Sequence, residues 1–164
     1  MSLFLRMLCL GCLSLGGLCL PNSATAQETH SELAIIVAHD QGPDLSRREE
    51  IAQLFLARRK LDRTGRALVP VNLPPDDPAR QVFSQQILGA PPKAWEAYWT
   101  ERYFQGVTPP AVVASPEAML RFVAATPGAV GYLSACRVDG RVRVLLKVEA
   151  PPMLAERLAA TCAP

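Results

Sequence analysis

Hydrophobic and polar positions alternate along this chain with two clear periods. Glu32 to Ala38 is an unbroken apolar run of strand length, the pattern of a strand covered on both faces. After a turn at Gly42-Pro43, Ser46 and Glu49 are spaced as a capping box opening a helix with Ile51, Leu54 and Phe55 on one face. Thr64-Gly65 turns the chain into a second apolar strand, Ala67 to Asn72. Asp77-Pro78 reads as N-cap and first residue of a helix that buries Val82, Phe83 and Ile87 and stops at Gly89. Pro91-Pro92 opens a third helix whose Trp95, Tyr98, Trp99 and Tyr103 recur at helical spacing, a stripe expected in the core rather than against a ligand. Ser115-Pro116-Glu117 caps a fourth, carrying Met119, Leu120, Phe122 and Val123. Thr126-Pro127-Gly128 is a tight turn into the short buried strand Ala129 to Leu133, where Gly131 implies the close approach of another backbone or a ligand. Asp139-Gly140 signals a hairpin into a further strand, Val142 to Val148, and Met153 to Ala160 is a short amphipathic helix. Strand, helix, strand, helices, strand predicts an α/β fold with a mostly parallel sheet flanked by helices and a C-terminal hairpin strand.

Residues 1–26 stand apart. Arg6 supplies a positive n-region, Met7 to Leu20 an apolar stretch, and Ala24-Thr25-Ala26 a cleavage site, so a signal peptide cleaved after Ala26 and a periplasmic location are expected. Residues 27–31 form a polar tail and 32–164 the domain, with no membrane span once the signal is removed. Arg6 is the only charged residue of the signal, and its loss turns the formal charge of +2 into a near-neutral balance. Nothing here favours nucleic acid or an anionic membrane as partner. The basic cluster Arg58-Arg59-Lys60, with Arg63 and Arg66, reads as the solvated end of a helix and its loop. Of five cysteines, Cys9, Cys12 and Cys19 leave with the signal. Cys136 and Cys162 remain, an even number in an oxidising compartment, which predicts a disulfide.

Candidate chemistry is sparse. His39-Asp40 ends the first strand, where open α/β sheets place their ligands, so His39 is a candidate ligand contact. No G-x-S-x-G, H-E-x-x-H, P-loop or G-x-G-x-x-G occurs, and no catalytic set, metal site or cofactor is read from the chain.

Thr126-Pro127-Gly128-Ala129-Val130-Gly131-Tyr132-Leu133 resembles the Thr-Pro-Gly-Ala-Ile-Gly-Tyr-Val signature of phosphate ABC transporter substrate-binding proteins, two-lobed periplasmic receptors. Leu33-Ala34-Ile35-Ile36-Val37, the stretch Leu45 to Phe55, Arg66 to Asn72, Arg80-Gln81-Val82-Phe83 and the run from Ala97 to Pro110 are similar to further segments of that family in the same order. The resemblance implies a single periplasmic-binding-protein-like lobe, corresponding to the family's second, with no counterpart of its first. It places ligand-facing positions at Asn72, Leu73, Asp76, Asp77, Ala79 and Arg80. Leu73 stands where the family has an arginine, and Asp76-Asp77-Pro78-Ala79 where it has Gly-Ser-Gly-Thr. Pro78 has no N–H, Ala79 no hydroxyl, and two carboxylates repel an oxyanion. The expectation is a solute-binding-like protein, not an enzyme, without high-affinity phosphate binding, whose partner is an unidentified small solute. The alternative is a protein-interaction or regulatory module with a partner in the periplasm or envelope.

Overall fold

A computed structural model describes residues 31–40, 42–43, 45 and 47–163; the signal peptide, nearly all of the polar tail and Ser46 lie outside the described residues. The elements are β1 (Glu32–Ala38), α1 (Arg48–Phe55), β2 (Val69–Asn72), α2 (Pro78–Gln86), α3 (Glu96–Phe104), β3 (Ala111–Val112), α4 (Pro116–Ala125), β4 (Ala129–Ser134), β5 (Val142–Glu149) and α5 (Pro152–Ala160). Short 3₁₀ turns, Pro92–Trp95 and Ala135–Arg137, lead into α3 and follow β4.

The five strands form one sheet in the order β3-β2-β4-β1-β5. β2 runs parallel to β3 and β4, whereas β1 runs antiparallel to β4 and β5, so the expected α/β fold is built on a mixed sheet. The C-terminal strand exists, but it does not form a hairpin with the strand before it: β1 lies between β4 and β5. The Asp139-Gly140 turn is made, with the Asp139 carboxylate accepting from Arg141 N–H at 3.0 Å. A buried central strand must pair its amides and carbonyls along both edges, and β1 obtains its second partner by taking β5.

β1 is apolar without alternation because both faces are covered: Leu33 to Val37 have no exposed surface. Successive side chains of β4 show how. Gly131 meets Met119 and Val123 of α4, while its neighbour Tyr132 points to the opposite face and packs on Phe83 of α2 and Phe55 of α1. The close approach expected at Gly131 is therefore made by helix side chains, not by backbone or ligand. α5 packs against α2 and β1 through Leu154 and Leu158.

Helix starts follow the sequence with one shift. Asp77 accepts from Ala79 N–H at 2.8 Å and Ser115 from Ala118 N–H at 3.2 Å, as N-caps. α1 begins one residue later than expected, and Glu50, not Glu49, receives the Arg47 N–H at 3.3 Å. The aromatic stripe of α3 is not core: no residue of the helix is buried, and Tyr103 and Phe104 are 66% and 84% exposed. The helix stands off the sheet, joined to the domain by Tyr98, whose hydroxyl donates to Leu56 O at 2.6 Å beneath the Arg58 guanidinium. The basic cluster is likewise more than a solvated face, since Arg59 and Arg63 both reach Glu50 and Arg66 reaches Asp62. Cys136 and Cys162 form the expected disulfide, Cα atoms 5.8 Å apart, joining the turn after β4 to the end of α5.

Candidate functional site

β2 ends at Asn72, and the loop Leu73 to Asp76 leads into α2, whose first turn carries Arg80. Leu73, only 1% exposed, belongs to the core, and its N–H donates to the Tyr132 hydroxyl at 3.2 Å. That hydroxyl in turn donates to Asn72 Oδ1 at 3.0 Å. One guanidinium nitrogen of Arg80 donates to Asn72 Oδ1 and to the Tyr132 oxygen at 3.3 Å. Asn72, Leu73, Arg80 and Tyr132 thus form one buried polar knot beneath the start of α2. The Tyr132 ring lies flat on Phe83, centroids 4.0 Å apart, and burial pushes its phenol up to about 12, so it remains a neutral hydroxyl.

The N-terminus of α2 is internally committed. Asp77 occupies the Ala79 amide, Pro78 contributes none, and the Leu73 amide is held by Tyr132. Burial raises the Asp77 carboxyl above its ordinary value, opposed by its bonds to the amides of Ala79 and Arg80, with neighbouring Asp76 adding to the rise. Ala79 is buried and Asp76 exposed.

Arg80 also lines a cleft of about 960 Å³, open between α2 and α3. Pro75, Asp76 and Arg80 form one wall; Lys93, Glu96 and Trp99 form the other. Among the described residues no ion pair joins any of its four charged side chains. His39 lies elsewhere, exposed, its Nδ1 2.6 Å from Asp40, beside a smaller hollow bordered by Ala124, Pro127 and Arg141. The structure therefore places Asp76 and Arg80 on the cleft wall, holds Asn72 behind it through Arg80, keeps Asp77 on the Ala79 amide at the start of α2, and leaves His39 outside. Tyr132 was missed as a site residue, although a tyrosine in a fully apolar strand signals a hydroxyl that needs buried partners. Among the described residues no group of three or more His, Cys, Asp or Glu side chains could hold a metal, and no helix is long and apolar enough to cross a membrane.

The fold, an α/β lobe on a mixed five-stranded sheet, is similar to that of solved phosphate-receptor structures. The ABC-type phosphate transport receptor of Vibrio cholerae shares it, with a TM-score of 0.53 and 19% identity over 77% of this chain and 52% of the receptor. A protein from Clostridium perfringens described as a phosphate ABC transporter substrate-binding protein, solved with bound phosphate, matches with a TM-score of 0.54 and 16% identity over 79% of this chain and 51% of its own. The chain thus spans about half the length of these relatives, and at such identities the likeness is one of fold. No protein-family model and no curated protein matches the sequence.

Proposed function

We propose that the chain is a secreted periplasmic solute-binding-like protein that uses the receptor-lobe fold without binding phosphate at receptor affinity, and that it is not an enzyme. The observation that carries this reading is the committed start of α2. An oxyanion there needs free amides and a cation not offset by carboxylates, and finds the Asp77 carboxylate on the Ala79 amide, a proline, a leucine in the core at position 73, and Asp76 on the same cleft wall as Arg80. Charge-assisted hydrogen bonds are worth about 1.5–3 kcal/mol each. Losing three weakens binding by about three to six powers of ten. Calorimetry of the protein with phosphate near neutral pH is expected to give no binding in the micromolar range, and a micromolar dissociation constant refutes the reading.

A second reading, a protein-interaction module in the periplasm or envelope, is favoured by one observation: the exposed aromatic side chains Tyr103 and Phe104 on α3. A thermal-shift screen against small solutes separates the two. A bound solute at a hundred times its dissociation constant stabilises the fold by about 2.7 kcal/mol, whereas an interaction module responds to none.

A further inference from the structure

Arg80 as a whole is only 9% exposed, and its guanidinium has no carboxylate partner among the described residues. Its bonds to Asn72 and Tyr132 engage a single terminal nitrogen, and the remaining N–H groups donate to no described residue while the side chain lines the cleft. A buried cation solvated along one edge by neutral oxygens is poised to take an anion on its other edge. The planar fork suits a carboxylate.

The charges around it narrow the choice. Lys93 adds a second positive charge to the cleft, while Asp76 and Glu96 add two negative ones. A simple anion at Arg80 shares the cleft with both carboxylates, and a simple cation shares it with Arg80 and Lys93. A ligand carrying one charge of each sign satisfies both sets. The rest of the wall is a half-buried tryptophan, Trp99, and prolines at 75, 91, 92 and 109, surfaces that favour an apolar substituent.

We propose that the cleft between α2 and α3 binds a small apolar zwitterion of the free amino-acid type, its carboxylate on Arg80, its ammonium between Asp76 and Glu96, and its side chain against Trp99. This rests on the solute-binding reading and names the class of solute.

The test is calorimetry of the protein with the apolar L-amino acids, with L-phenylalanine compared against 3-phenylpropanoate, which lacks the ammonium, and 2-phenylethylamine, which lacks the carboxylate. Binding of at least one amino acid is expected, and deletion of either charge should weaken it at least about tenfold, the loss of one ion-paired hydrogen bond. Because Arg80→Met also removes a partner of Asn72 and Tyr132, the deciding variant is Asp76→Asn with Glu96→Gln, two exposed side chains. It should melt with the parent, lose at least about tenfold in amino-acid affinity, and hold 3-phenylpropanoate as well as or better than the parent. No binding by any amino acid of the panel overturns the proposal. Equal binding by a one-charge analogue, or unchanged affinity in the double variant, does so too. Phosphate titrated alongside keeps the two ideas apart: tight phosphate binding refutes the functional reading, while failure of amino acids and phosphate together refutes only this inference.

Discussion

At Gly128 the backbone takes a φ of +76°, and a side chain there would drive into the carbonyl of Ala67. The same residue's carbonyl accepts Val69 N–H at 2.9 Å, so the turn also sets the start of the β2–β4 pairing. Gly128→Val is expected to destabilise the protein by more than about 1 kcal/mol, from backbone strain with the clash added; an unchanged melting temperature contradicts this. Tyr132 is the second residue on which much converges. Tyr132→Phe keeps the ring on Phe83 but leaves the Leu73 N–H and part of the Arg80 guanidinium without their acceptor. A buried donor left unsatisfied costs about 1–3 kcal/mol, and a lowered urea midpoint at unchanged slope is the expected result.

Among the elements, α5 and α3 are attached in contrasting ways. α5 is held by Leu154 and Leu158 in the core, by the disulfide, and by Arg137, which donates to Thr161 O at 2.6 Å. The disulfide closes a loop with a sequence separation of 26 residues, worth about 3–4 kcal/mol on the chain-entropy estimate. Cys162→Ala should lower stability by that order in protein purified from the periplasm. Alkylation of such protein without reductant should label neither cysteine, and two labelled thiols would refute the pairing. α3, by contrast, buries none of its residues, and its separation from the sheet leaves room for the cleft that Arg80 lines.

For the molecule as a whole, the likeness to the receptors is one of fold. The sheet and its covering helices follow the fold of the two phosphate-receptor structures, yet the loop entering α2 is satisfied by its own residues. An arginine placed at position 73 would thrust a guanidinium toward the hydrophobic core, because the leucine there packs inward. The phosphate titration and the amino-acid titration therefore probe different parts of the same lobe: the closed start of α2, and the open cleft beside it.

What the sequence by itself determined is whatever depends on neighbours a few residues apart. The Asp77 and Ser115 caps, the proline-led helices, the turn at Gly128 and the apolar run of β1 are local signals, and each appears in the structure. The cysteine pair was legible because its counting needs no geometry. Only the tertiary structure decided that β1 lies between β4 and β5, that the aromatic face of α3 stays outside the core, and that helix side chains fill the space at Gly131. The same holds for the polar knot, since Asn72 and Arg80 lie 60 and 52 residues from the tyrosine that joins them. Strand order and burial are set by the summed packing of distant segments, and periodicity can say that a face is apolar without saying what, if anything, will cover it.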